Sequence, residues 1–216
     1  LKNILFFSTL CSLLLSFQVG LDALEKNHIS MLDSMKVGVI ANHTSLNSEG
    51  KHLIDILIDK EIELVRIFSP EHGFLGKKAA GQIVDNDIDL LSGVEIVSLY
   101  GENKSPQYAD LRDLDVLIFD IQDIGVRYYT YVSTMTLAME EASKNNIEFI
   151  VLDRPNPIGG ITVQGPLLDA KFSSFVGKHP IPVRHGMTIG ELALFIKDND
   201  LIEGSDSLRP KVIKVS

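Results

Sequence analysis

The stretch VLIFDIQD, residues 116–123, decides the fold. Val116 to Phe119 is an unbroken apolar run, and it ends abruptly in Asp120, Gln122 and Asp123. A run this short, rich in β-branched and aromatic residues, reads as a strand buried on both faces, as in a parallel sheet. Three further stretches repeat the pattern. Lys36 to Ala41 leads into Asn42, His43 and Thr44. Glu63 to Phe68 leads into Ser69, Pro70, Glu71, His72 and Gly73. Phe149 to Leu152 leads into Asp153, Arg154, Pro155 and Asn156. In open α/β sheets, the loops leaving the carboxyl ends of the strands line the ligand crevice. The pattern therefore gathers Asn, Glu, His, Asp, Gln and Arg at one edge of one sheet.

Outward from these strands, helical and extended spacing alternate. Leu21 to Met35 reads as a short amphipathic helix, and His52 to Lys60 carries Leu53, Ile54, Leu57 and Ile58 at helical spacing. Lys77 to Gly93 is polar and glycine-containing, an irregular excursion over the site, and Glu95 to Leu99 is a further strand closed by Tyr100 and Gly101. Pro106 to Leu111 reads as a short helix. The helix predicted over Thr130 to Asn145 aligns Val132, Met135, Met139 and Ala142 on a core-facing stripe. Thr188 with Glu191 forms a capping-box pattern opening another helix, and Lys211 to Val215 reads as a strand. Strands alternating with helices give an α/β class with a mostly parallel sheet.

The chain has 216 residues, 45% hydrophobic and 23% charged, with a formal net charge of -9. That is ordinary for a folded soluble protein. An acidic chain without a basic block argues against a nucleic-acid partner and against a polybasic membrane-surface mode. Residues 1–20 differ in kind: Lys2 precedes a short apolar core that includes Ile4 to Phe7 and Leu13 to Leu15. This is the form of a secretory signal peptide, and an uncleaved anchor is the alternative. Export to the periplasm or the extracellular space follows, with no stable membrane insertion after cleavage. Cys11 is the single cysteine and lies inside that apolar core, so the mature chain has no disulfide, no thiolate nucleophile and no cysteine metal site.

Among the polar residues, Glu71 stands out. It follows a buried strand and a stiffening proline, and Gly73 and Gly76 permit tight turns or close ligand approach. A carboxyl partly removed from water can serve as a general acid. A cap on a following helix, or an ion pair with Lys77 or Lys78, is the structural alternative. Asp120, Gln122 and Asp123 form a second polar knot, followed by Arg127, Tyr128, Tyr129 and Tyr131. Clustered tyrosines suit a carbohydrate, because ring faces pack on sugars while hydroxyls bond their edges. Alternatively Asp120 is a structural residue neutralised by Arg127. The rigid segment Asp153-Arg154-Pro155-Asn156-Pro157 can present Arg154 and Asn156 to a ligand carboxylate or amide, or Asp153 and Arg154 can pair internally. Arg184 and His185 follow another proline-stiffened segment. His43, His72, Glu71 and Asp120 have no spacing of a known metal motif, and no glycine-rich nucleotide fingerprint or P-loop occurs. No metal and no cofactor is expected.

Three groups of residues together resemble a known family. They are Ser69-Pro70-Glu71-His72-Gly73, the run from Val116 to Tyr131, and Leu152-Asp153-Arg154-Pro155-Asn156-Pro157. Ser174 to Gly177, Pro180 to Thr188 and Gly190-Glu191-Leu192 strengthen the match. The chain from about Lys36 onward resembles the exo-β-N-acetylmuramidase family, long known as the domain of unknown function DUF1343. The resemblance implies a Rossmann-like domain with a cleft against a smaller C-terminal domain. It implies release of N-acetylmuramic acid from the non-reducing end of peptidoglycan fragments in cell-wall turnover, with Glu71 matching the family's proposed catalytic glutamate. Gln164 departs from the glutamate expected there.

Three segments follow as expectations: a signal peptide over 1–20, a Rossmann-like catalytic domain over 21–195, and the truncated beginning of a C-terminal domain over 196–216. Glu71, His72, Asp120 and Asp123 are the candidate catalytic residues. Asn42, Gln122, Arg127, Tyr128, Tyr131, Asp153, Arg154, Asn156, Arg184 and His185 are the candidate contacts to a muramyl saccharide. An envelope carbohydrate-binding protein without catalysis is the alternative function.

Overall fold

The computed structural model describes residues 18–77, 79, 86–101, 103–204, 206–208 and 210–215. The apolar runs are strands within a residue or two of their expected bounds. They are β1 (Val37–Ala41), β2 (Leu64–Ser69), β4 (Glu95–Ser98), β5 (Val116–Asp120), β6 (Glu148–Leu152) and β7 (Lys211–Ile213). The excursion after Glu71 adds a two-residue strand, β3 (Asp87–Ile88), that the sequence reading left irregular. Among the described residues the strands form one sheet in the order β3-β4-β2-β1-β5-β6-β7. All neighbours are parallel except β3, which runs antiparallel to β4 at the edge. Without β3, the order in chain sequence is 3-2-1-4-5-6, that of a doubly wound Rossmann-type sheet.

The strands alternate between two cores. Val37, Val39 and Ala41 of β1, Val116 and Ile118 of β5, and Ile150 and Leu152 of β6 point to one face. There they meet α2 (Leu53–Asp59) and the N-terminal segment through Leu21, Leu24 and Leu32. Ile40, Leu117, Phe119, Phe149 and Val151 point to the other, against α4 (Tyr131–Lys144) and α5 (Ile189–Asp198). Leu111 of α3 (Tyr108–Leu111) and the following Leu114 close the same face. Gly38 has no side chain because Leu114 fills its place: a Cβ there would lie 2.5 Å from Leu114 Cδ1.

The expected start of a separate unit at 196 and the expected helix over Leu21 to Met35 differ from the structure. Residues 196–216 do not open a separate unit in their described part: Ile196 is buried in the core of α5, and β7 pairs in parallel with β6. The helix expected over Leu21 to Met35 is broken into α1 (Gly20–Ala23), a π-helical turn over Leu24–His28 and a 3₁₀ turn over Ile29–Leu32. Of the expected leader, residues 1–17 lie outside the described residues. Val19 and Gly20 belong to the folded domain, since Gly20 donates its N–H to Asp153 O at 2.7 Å and Val19 donates to Asp22 Oδ2 at 2.8 Å. Among the described residues no helix is long and apolar enough to cross a membrane.

Candidate active site

The chain order reverses at β1, which has β2 on one side and β5 on the other, so the crevice opens above β1, β2 and β5. The loops there are stitched together. Asn42 accepts from Thr44 N at 2.8 Å and Thr44 Oγ1 at 2.6 Å. Thr44 Oγ1 accepts in turn from Gln122 N at 3.0 Å, and Ser45 Oγ donates to Asp120 O. Gln122 Nε2 then reaches Pro155 O at 2.8 Å. A continuous network thus spans the ends of β1, β5 and β6.

Glu71 stands beyond the end of β2, partly exposed, in a turn where His72 and Gly73 take φ of 72° and 75°. Its carboxyl accepts from Thr130 Oγ1 at 2.9 Å and is hydrogen-bonded by the Tyr100 hydroxyl. That bond to Glu71, with burial and the carboxylate's charge, raises the Tyr100 phenol above its ordinary pKa. Tyr131 OH donates to Glu71 O at 3.4 Å and accepts from Asn42 Nδ2 at 3.2 Å. These hydroxyls hold the Glu71 side chain and backbone at the site; Lys78, one of the expected ion-pair partners, lies outside the described residues. Gly76 turns the loop back against β1: a Cβ there would lie 2.1 Å from the His43 ring.

The three aspartates are placed differently from Glu71. Asp120 is fully buried and receives Arg154 Nε at 2.6 Å and Nη2 at 2.9 Å, a bidentate pair. Burial pushes the Asp120 carboxyl up, and Arg154 pulls against that rise. Asp120 is therefore not a substrate-facing acid, its partner is Arg154 rather than Arg127, and Arg154 is committed, its Nη2 also donating to Leu46 O at 3.0 Å. Asp153 makes no ion pair with the Arg154 guanidinium and accepts from Arg154 only through its backbone N, at 2.9 Å. It accepts from Gly190 N at 2.8 Å and Thr188 Oγ1 at 3.0 Å, anchoring the start of α5. Burial raises its pKa, and those bonds work in the opposite direction. Asp123, 3% exposed, accepts from Gly125 N at 2.7 Å and lies 3.4 Å from His185 Nε2. His185 is equally buried, with Nδ1 accepting from Met187 N at 3.2 Å. Asp123, Asp153 and His185 are thus interior residues rather than surfaces for a sugar.

The candidate sugar contacts divide likewise. Asn42 is fully buried and serves Tyr131, and Tyr131 itself is 2% exposed, so neither offers a face to a ligand. Burial, with Tyr129 and Glu71 adding, holds the Tyr131 phenol well above its ordinary range. Tyr128 is exposed and Tyr129 half-buried, the latter 4.6 Å edge-on from Tyr131. Arg127 Nη1 donates to Pro166 O at 2.7 Å and Ile181 O at 2.6 Å. Asn156 Nδ2 donates to Met187 O at 2.9 Å, and Gly125 must be glycine because a Cβ would lie 2.3 Å from Asn156 Oδ1. Arg184, half-buried, donates through Nη2 to Ile158 O. Among the described residues no group of three His, Cys, Asp or Glu converges as a metal site.

Sequence reading missed Thr130 and Tyr100. Tyr100 follows the end of β4, so the strand-end rule that picked out Glu71 reaches it when applied to that strand as well.

A doubly wound parallel sheet with one hydroxyl-held, partly exposed carboxyl at its carboxyl rim defines a Rossmann-type α/β domain. The family described as "Exo-beta-N-acetylmuramidase NamZ, N-terminal" matches residues 37–216, and the chain belongs to that family. It is 48% identical over 183 residues to the peptidoglycan beta-N-acetylmuramidase NamZ of Bacillus subtilis (strain 168), covering 84% of this chain and 44% of that protein. Two crystal structures of DUF1343 family proteins from Bacteroides fragilis share the fold. One has a TM-score of 0.85 at 39% identity, covering 93% of this chain and 50% of its own. The other has a TM-score of 0.80 at 38% identity, covering 93% and 52%. The chain spans about half the length of these relatives.

Proposed function

We propose that this domain supplies the acid/base group of an exo-acting glycoside hydrolase. Its reaction is release of N-acetylmuramic acid from the non-reducing end of peptidoglycan fragments during cell-wall turnover. One observation carries the reading. Of the four carboxyls expected at the site, Glu71, Asp120, Asp123 and Asp153, Glu71 alone keeps exposed surface. A general acid must reach the glycosidic oxygen it protonates. The 48% identity to a peptidoglycan beta-N-acetylmuramidase supports the substrate class.

In this reading Glu71 delivers its proton to the leaving oxygen as the bond to the anomeric carbon breaks. Tyr128, exposed beside the crevice loops, offers a ring face to a sugar. The muramyl lactyl carboxylate is read by Arg184, since Arg154 is already spent on Asp120. The substrate class and the apolar leader-like segment together support action in the periplasm or outside the cell.

Hydrolysis of a muramyl disaccharide by the full-length protein tests the proposal. Glu71→Gln keeps the shape and removes proton transfer, so turnover should fall at least about a hundredfold. Near-normal turnover in that variant rejects Glu71 as the acid. Saturable binding by the unmodified protein without turnover indicates a carbohydrate-binding protein instead.

A further inference from the structure

Thr130 occupies the N-cap of α4, where a threonine hydroxyl ordinarily accepts from a backbone N–H of the first turn. Here it makes no such bond. The hydroxyl is turned to Glu71 instead, donating to Oε2 at 2.9 Å. With the Thr130 backbone already helical (φ -68°, ψ -13°), the hydroxyl is left to hold a carboxyl 59 residues earlier in the chain. Tyr100, beyond β4, hydrogen-bonds the same side chain from another element. The backbone of Glu71 is held separately, by Tyr131 OH at 3.4 Å with Asn42 behind it. The flanking turn, with left-handed backbone at His72 and Gly73, has little secondary structure of its own to fix the side chain.

We propose that Thr130 and Tyr100 are positioning residues that hold the Glu71 carboxyl in the orientation its chemistry needs. The proposal rests on the reading of Glu71 as the acid/base group. Neither hydroxyl has to touch the substrate: each restricts the carboxyl to one arrangement before the sugar arrives, and misplacement by about 1 Å at a reacting group costs up to ~100-fold in rate.

The test uses the full-length protein and a muramyl disaccharide, with kcat, KM and the melting temperature measured for Thr130→Val, Thr130→Ser, Tyr100→Phe and the double variant Thr130→Val/Tyr100→Phe. Each hydroxyl deletion should lower kcat about tenfold and the pair about a hundredfold, with KM within about twofold. Thr130→Ser should recover most of the rate. Thr130→Val should leave the melting temperature nearly unchanged, because the lost hydroxyl caps nothing. Wild-type kcat in the double variant overturns the proposal. So does a fall in kcat that is matched by a fall in melting temperature and is not recovered by serine.

A second readout needs no turnover. The phenolate absorbance of Tyr100 is isolated by difference from the Tyr100→Phe protein. In Glu71→Gln it should appear at lower pH than in the parent, because the carboxylate no longer raises it. An unmoved titration also overturns the proposal. If Glu71→Gln keeps full turnover while the Tyr100 titration moves, the acid/base reading fails and the contact itself survives.

Discussion

Arg154 and Arg184 both lie among the loops at the crevice edge, and they differ in what their guanidinium groups already hold. Arg154 neutralises a fully buried carboxylate through two bonds. Arg154→Met strands that charge in the interior and should cost about 3–5 kcal/mol, read from urea denaturation. Arg184→Met leaves no buried carboxylate behind. It should keep the fold and narrow the preference for a muramide over a glucosaminide, measured as the ratio of kcat/KM values. An unchanged ratio in a folded Arg184→Met protein places recognition of the lactyl carboxylate elsewhere. The sequence located both arginines but not their partners. Asp120 and Arg154 are 34 residues apart and meet because β5 and β6 are neighbours in the sheet, which the apolar pattern of either strand does not encode.

The elements themselves were largely legible, because strands buried on both faces and helices with one apolar stripe announce themselves by period. The capping box at Thr188 is present as read, with Glu191 N donating to Thr188 Oγ1 at 3.1 Å. The long connection between β6 and α5 was not legible, since it is held by scattered side-chain bonds that have no period. One of these is His179, 3% exposed, whose Nε2 lies 2.7 Å from Thr136 Oγ1 on α4. Burial, with Lys178 adding, pushes its imidazole down to about 4 from an ordinary 6.5. Between those values the unfolded chain holds a proton that the folded one refuses, so stability is complete above about 6.5 and is lost as pH falls toward 4. His179→Gln should flatten that part of the curve, as followed by urea midpoints from neutral pH down to about 4.5. An equally steep loss in the variant assigns the effect to other groups.

At the scale of the whole molecule, alternation of strands and helices indicated a parallel sheet and the resemblance a Rossmann-like domain, while the order 3-2-1-4-5-6 is written in no residue pattern and comes from the structure. The boundary at 195 failed for a physical reason. The resemblance implies a second domain, and the expected boundary placed its beginning at 196, whereas β7 extends the sheet by pairing with β6. A chain ending at 195 loses Ile196 and Ile213 from the two cores and leaves β6 as a hydrophobic edge. It should lack a cooperative thermal transition that the 216-residue chain retains, as followed by circular dichroism. A sharp transition in the shortened chain would restore the boundary.

Gly20 packs directly on the last strand: a Cβ on it would lie 2.4 Å from both Ile213 O and Asp153 N. Gly20 and the end of β7 therefore meet at one spot, beside the carboxyl ends of β6 and β7. That contact sits on the carboxyl rim of the sheet, the same rim along which Glu71 stands beyond β2.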